Sequence, residues 1–210
     1  MLELSYKAIP EDTILREATK TKMYFGILEN KVFHGEGLDI GCGNDPILPG
    51  VNCFDMKDGD ANEICKYVHR QFDFVFSSHC LEHMRNPFYT IKQWWNLVKE
   101  NGYLYIVVPD EDLYEQGHFP SKYNSDHKWT FTLLKQQGIN TRSINVIELL
   151  SSLKDARILK IEVQDNNYNY NLKDVDQTLG NATAQITLCV QKSKTYKNAN
   201  YKFNRHFLDY

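Results

Sequence analysis

His79-Cys80-Leu81-Glu82-His83 puts two imidazoles and a carboxylate within five residues. If a helix starts near His79, offsets of three and four bring His79, Glu82 and His83 onto one face. A His beside a Glu makes a general base with an orienting partner, worth about 10² to 10⁴ in rate where a nucleophile must lose a proton. The same spacing equally presents a divalent metal, and a packing role is the third reading. Further along, Asp126-His127 can act as a hydrogen-bonded pair, while His118 reads as a surface residue.

Such a cluster needs a scaffold that holds it beside a ligand. Gly37 to Pro46, Gly-Leu-Asp-Ile-Gly-Cys-Gly-Asn-Asp-Pro, reads as a short apolar strand running into a turn. Gly41 and Gly43 let a ligand approach the backbone where a Cβ would collide with it. Asp39 suits a cationic ligand better than a phosphate, which wants amides and Lys. An ordinary tight turn has the same residues. Val51 to Asp55 is a second strand ending in an acid, and α/β folds bind ligands at that end of a strand. Asp55 is therefore a candidate for ribose hydroxyls, or else a solvated acid of the turn Asp-Met-Lys-Asp-Gly-Asp.

Between these strands, Asn44-Asp45-Pro46-Ile47-Leu48-Pro49-Gly50 has too much Pro and Gly for a regular helix. The crossover to a parallel neighbour, which normally takes about a dozen residues or more, must be unusually tight. Phe72 to Ser78 reads as a buried strand, Pro87 to Lys99 as a helix with Pro near its start, and Tyr103 to Val108 as the next buried strand. Together they form a βαβ unit. Residues 61–71, with Ile64, Tyr67 and Val68, fit a short helix or a ragged strand. Residues 11–30 space Ile14, Leu15, Ala18, Met23, Phe25 and Leu28 as a helix or two. Residues 142–154 read as a helix, 156–164 and 184–191 as strands joined by an Asn/Tyr-rich hairpin connection.

Residues 110–132 are polar and aromatic with no steady period. Loops of this length are functional or disordered, and the aromatic content disfavours disorder, so this segment is expected to be a substrate lid. The tail from Ser193 to Tyr210 is basic and aromatic without clear period.

The chain has 210 residues and a formal charge of −3, which suits one globular domain. That balance, with no long Lys/Arg run, argues against a general nucleic-acid binder. Five scattered cysteines, Cys42, Cys53, Cys65, Cys80 and Cys189, suggest neither a zinc knuckle nor a disulfide framework. No stretch approaches the roughly 18 apolar residues of a membrane span, and the first residues carry no apolar signal core. The expected setting is the cytoplasm.

Leu38-Asp39-Ile40-Gly41-Cys42-Gly43 resembles the first motif of the class I S-adenosylmethionine-dependent methyltransferases. Phe72 to His83 and Asn101 to Pro109 are similar to the fourth and fifth strand regions of that superfamily, so the likeness covers roughly residues 36–135. It implies an α/β, Rossmann-like sheet, mostly parallel with an antiparallel C-terminal strand and helices on both faces. The early helices are trimmed here. It implies S-adenosylmethionine as cofactor, held by Asp39, Gly41, Cys42, Gly43 and Asp55, by Asp60 and Ala61 at the adenine, and by Ser78. On this reading 1–34 is a helical cap, 36–109 the cofactor-binding core, 110–132 the lid and 193–210 a tail, all in one domain, 1–210.

His79 to His83 is also similar to the Glu-x-x-Glu-His element of magnesium-dependent methyltransferases that act on small-RNA 2′-hydroxyls and ubiquinone precursors. His79 in place of the first Glu favours manganese, iron, nickel or zinc over magnesium. The RNA enzymes draw a further His from downstream, a part for His127 or His118. The site then reads either as His83, His79 and His127 in catalysis or as His79, Glu82, His83 and His127 around a metal. The lid and Leu-Glu-His pattern resembles small methyltransferases of bacterial surface-polysaccharide and sugar pathways. O-methylation of a sugar or phosphate-derived group on a glycan precursor is the reading this resemblance implies, the partner being a small molecule or glycan precursor, with Lys122, Lys128, Arg85, Tyr114 and Tyr123 lining a site for an anionic, hydroxylated acceptor. The alternatives are a metal-dependent RNA 2′-O-methyltransferase and a non-catalytic interaction module of the same fold.

Overall fold

The computed structural model describes residues 16–135 and 138–195. Two short helices, α1 (Glu17–Lys22) and α2 (Ile27–Val32), precede β1 (Gly37–Ile40) and β2 (Asn52–Phe54). Next come β3 (Phe72–Ser78), α3 (Pro87–Asn96) and β4 (Val98–Pro109), then β5 (Thr130–Thr132), β6 (Ser143–Asn145), α4 (Val146–Ser151), β7 (Ala156–Gln164) and β8 (Gln185–Lys192). The central sheet has the order β2-β1-β3-β4-β8-β7. Its first four strands are parallel, and β8 runs antiparallel to both β4 and β7. This is the expected α/β Rossmann-like sheet, with its single reversed strand near the C-terminal edge.

Strand periodicity assigns the two faces. In β3, Phe74 and Phe76 point to the side covered by α1 and α2, where they pack with Phe33, Tyr105 and Val107. Val75 points to the other side, joining Leu104, Ile106 and the α3 residues Ile91 and Trp94. Both faces are covered, as a parallel sheet requires, so these strands are apolar on both sides. Helix α3 begins where Asn86 accepts from the Tyr89 amide at 3.1 Å, with Pro87 in its first turn. On the opposite face, buried Glu29 accepts from the Gly26 amide and the Tyr105 hydroxyl, both at 2.9 Å, and pairs with Lys160. Those contacts dock α2 onto the sheet.

The early crossovers are trimmed as expected. Residues 41–51 contain no helix, yet β1 and β2 pair in parallel. Asp39 accepts from the Ile47 amide at 2.8 Å, and Ile47 is fully buried, which folds the Pro-rich turn back onto the sheet. Between β2 and β3 there is only a 3-10 turn, Ala61–Lys66, which settles the ambiguous 61–71 segment.

Several boundaries differ from expectation. The N-terminal helices begin at Glu17, and Ile14 and Leu15 lie outside the described residues. The helix expected to reach Lys99 stops at Asn96, because Val98 already pairs with Phe72. Residues 142–154 split into β6 and α4, since Ser143 to Asn145 pair with Thr130 to Thr132. The tail beyond residue 195 lies outside the described residues.

Residues 110–132 are folded down onto the domain. The Asp110 carboxylate accepts from the amides of Asp112 and Leu113 at 2.9 and 3.0 Å. Glu111, fully buried, takes the hydroxyls of Thr130 and Ser143 at 2.9 and 2.6 Å. The connection between β7 and β8 closes over this segment. Tyr168 donates its hydroxyl to the Leu113 carbonyl at 2.8 Å, and Lys122 pairs with Asp174.

Candidate active site

The C-terminal ends of β1, β2 and β3 bring two groups of residues together. In the first, Gly41 has φ +76° and Gly43 φ +51°. A Cβ on Gly41 would stand 2.9 Å from Cys80 Sγ, whereas one on Gly43 would meet nothing within 4 Å. Gly41 is thus required by both conformation and space, and Gly43 leaves open room above its backbone. The Gly43 amide donates to Asp55 Oδ2 at 2.8 Å, and Met56 N donates to Oδ1 at 2.7 Å. Asp55 therefore stands beside the glycine turn, where a nucleoside ligand would need its carboxylate. The open cradle at Gly43 with that acid next to it fits S-adenosylmethionine.

Other predicted cofactor residues turn out to hold the loop itself. Asp39 is 1% exposed, and burial, with Asp45 and Asp55 nearby, pushes its carboxyl up to about 7 against the pull of the Ile47 amide. It shapes the turn from inside through the Ile47 amide and presents little exposed surface to the crevice. The Cys42 thiol is buried and raised to about 12, first by desolvation and then by Cys53. Asp60 caps the 3-10 turn through the Asn62 amide at 2.9 Å and pairs with Arg85 at 2.9 Å. These contacts hold its carboxyl below the usual range. The Ala61 carbonyl accepts from the Trp94 indole at 3.0 Å. Ser78 Oγ is buried without a hydrogen-bond partner.

The second group begins at His79, the residue after β3. No helix starts at His79. Its φ of +49° turns the chain sharply, and only a 3-10 turn follows, Leu81–His83. The expected one-face alignment of His79 with Glu82 and His83 does not form. His79 Nε2 is instead drawn 3.1 Å from Gln185 Oε1 on β8 and 3.5 Å from Glu17. Its Nδ1 remains 3.6 Å from Glu82 Oε1. Glu82 is fully buried, and neither carboxylate oxygen has a hydrogen-bond partner.

His127, not His118, completes the cluster. His118 is half exposed near Asp174. Segment 126–129 is clasped to the 82–84 turn by Lys128 N on the Glu82 carbonyl, Lys128 Nζ on the His83 carbonyl and Trp129 Nε1 on the Met84 carbonyl, each at 2.9 Å. His127 Nε2 and His83 Nε2 both lie 3.9 Å from Glu82 Oε1. Donor atoms of Glu82, His83 and His127 all fall within 4.8 Å of one another, and His79 is not part of that triangle. The pairing of Asp126 with His127 is not what forms: Asp126 lies 2.9 Å from His83 Nδ1, while His127 Nδ1 is held 2.7 Å from Glu115.

Glu115, Asp126 and Gln185 as partners of the three histidines carry no signal in sequence spacing. Tyr114 lies 5.3 Å from His127, ring centre to ring centre, and Tyr123 packs edge-on against Tyr114 at 5.8 Å, so of the two lid tyrosines only Tyr114 touches the cluster. The lid cations Lys122 and Lys128, and Arg85 before α3, do not form an anion pocket: they pair with Asp174, Asp126 and Asp60. The contact of Gly41 with Cys80 places the glycine turn against the segment that carries Glu82 and His83.

Among the described residues no helix is long and apolar enough to cross a membrane. No curated protein matches the chain in sequence. Among solved structures, an S-adenosylmethionine-dependent methyltransferase from Methanosarcina mazei is similar with a TM-score of 0.50 and 16% identity, over 80% of this chain and 98% of its own. One from Clostridium acetobutylicum gives a TM-score of 0.50 and 13% identity, over 84% of this chain and 90% of its own. Likeness at such identity is one of fold. The Methyltransferase domain family matches residues 13–170, most of the sheet together with the glycine turn and the cluster. The chain belongs to that family and is a class I S-adenosylmethionine-dependent methyltransferase.

Proposed function

We propose that the methyl acceptor is a hydroxyl oxygen on a small polyhydroxylated molecule of the sugar type, such as a glycan precursor. S-adenosylmethionine held at Gly41, Gly43 and Asp55 supplies an electrophilic methyl group. An oxygen acceptor must lose a proton as the carbon–oxygen bond forms, and the chain must provide the group that takes its charge. The observation that carries the reading is the pair of imidazoles, His83 and His127, whose Nδ1 atoms rest on carboxylates at 2.9 and 2.7 Å. Their Nε2 atoms are then free to face the acceptor side of the site. His83 is the more exposed of the two, with 23% of its side chain accessible against 3% for His127. Tyr114 and Tyr123 add aromatic faces of the kind that pack on sugar rings. The paired state of Lys122, Lys128 and Arg85 makes the sugar hydroxyl the better half of the reading and a phosphate-derived group the weaker. Residues 110–132 act as the acceptor-side cover, and five free thiols go with a cytoplasmic setting.

The test is transfer of labelled methyl groups to a panel of sugars, sugar phosphates, amines and carboxylates. Label should appear in a base-stable ether on a sugar. His83→Ala should lower turnover by about 10²-fold or more while cofactor binding stays unchanged. Label found only on amines, or equal loss of turnover and cofactor binding, would refute the assignment.

A further inference from the structure

We propose that Glu82, His83 and His127 form a binding site for one divalent first-row transition ion, of the manganese-to-zinc series, open on the acceptor side. The three donors stand on two segments 44 residues apart, Glu82 and His83 after β3 and His127 from the lid, and their donor atoms lie within 4.8 Å of one another. The electrostatics of the cluster call for a cation. Asp126 and Glu115 take the Nδ1–H of His83 and His127, which leaves a lone pair on each Nε2. Both lone pairs converge on Glu82 Oε1, each at 3.9 Å, too far for a hydrogen bond. The result is three acceptors facing one another with no donor within hydrogen-bond distance of Glu82, whose nearest imidazole nitrogen, His79 Nδ1, stands 3.6 Å from Oε1.

Glu82 makes that arrangement costly without a ligand. It is 0% exposed and both of its oxygens lack a hydrogen-bond partner. Burying an unpaired carboxylate costs several kcal/mol, whereas a carboxylate that coordinates a metal is compensated. Around an ion bound at about 2.0–2.2 Å, donor atoms sit about 3–3.5 Å apart, so side-chain movements of less than about 1 Å close the triangle. The carboxylate behind each imidazole is the arrangement that orients histidine ligands and raises their basicity. Two nitrogens with one oxygen suit manganese, iron, cobalt, nickel or zinc better than magnesium or calcium, which prefer oxygen throughout. The cavity side stays open because His83 is partly exposed.

An ion here would deepen the proposed function: His83 and His127 would then serve as its ligands and not as the base, and the ion would bind the acceptor hydroxyl as a Lewis acid, so that its proton would pass to water as the methyl group adds to the oxygen. That consequence rests on the oxygen-acceptor reading, but occupancy of the site does not. The test uses tag-free, chelator-treated full-length protein. It is titrated with Mn²⁺, Co²⁺ and Zn²⁺ by calorimetry, and Co²⁺ is followed by its visible absorption. The wild type should bind one ion per chain and give a Co²⁺ spectrum of mixed nitrogen and oxygen ligation. Glu82→Gln should weaken binding at least 100-fold. Should that buried variant fail to fold, His83→Ala, which alters a partly exposed side chain, should produce the same loss. S-adenosylmethionine binding by the metal-free protein should be unchanged in either folded variant. No ion bound by wild type at millimolar concentration, or equal binding by wild type and His83→Ala, overturns the site. Methyl transfer to a sugar that persists in chelator would then leave the oxygen-acceptor reading standing with a metal-free cluster.

Discussion

Asp39→Asn should remove a pH dependence of stability that one buried acid imposes. Asp39 is 1% exposed at the end of β1, and its carboxyl is raised from 3.8 to about 7, chiefly by loss of solvation. The folded state therefore holds this proton more tightly than the unfolded chain does. Between pH of about 4 and about 7 the unfolded acid is ionised while the folded one is not, so stability falls as pH rises through that window and levels off above it. Three pKa units correspond to about 4 kcal/mol over the whole window, of which about 2 kcal/mol falls between pH of about 5.5 and 8.5. Asparagine stays neutral throughout and keeps an oxygen to accept from the Ile47 amide, a bond of 2.8 Å in the wild type. Urea unfolding of both proteins across that range should show the advantage of the variant growing by about 2 kcal/mol toward high pH, at constant m-value. The comparison between variant and wild type cancels the contribution of other acids, such as the buried Asp110, whose carboxyl is also raised by desolvation. Parallel stability curves for the two proteins would refute the claim that burial in the fold raises the Asp39 carboxyl.

Gly41→Ala should lower stability by about 1–3 kcal/mol in thermal unfolding, from the left-handed φ and from the contact with Cys80. Adding Cys80→Ala should recover only part of that loss, and full recovery would show that the backbone conformation costs nothing. Asp55→Ala should weaken S-adenosylmethionine binding by about 1–3 kcal/mol in calorimetry, the cost of losing a hydrogen bond to a charged group; unchanged affinity would remove Asp55 from the cofactor site.

Much of the scaffold is legible in short stretches of chain. Phe72 to Ser78 announces a strand buried on both faces, and Phe74 and Val75 do go to opposite sides of the sheet. Gly41 and Gly43 are needed for their positive φ, a property of the residue type alone. The prolines at 46 and 49 exclude a helix, and none forms. Boundaries were harder: Val98 belongs to β4 because it finds Phe72 beside it, and Ser143 to Asn145 are strand because Thr130 to Thr132 lie alongside. Isolated windows of sequence do not contain those partners.

By itself the sequence determined the class of fold, the glycine turn, the adjacency of Glu82 and His83, and the methyltransferase likeness, because each depends on residue type and spacing within a few positions. Only the tertiary structure decided which imidazoles meet. A left-handed turn at His79 and its contact with Gln185, 106 residues away, keep His79 out of the triangle of donors, although its Nδ1 stays 3.6 Å from Glu82. The clasp between Lys128 and the 82–84 turn brings His127 in, and Glu115 and Asp126 set the protons on the two remaining rings. The physical reason is range: backbone preferences act over one turn of chain, whereas the burial of Glu82 and the direction of three imidazoles depend on loops that meet only after the sheet has formed.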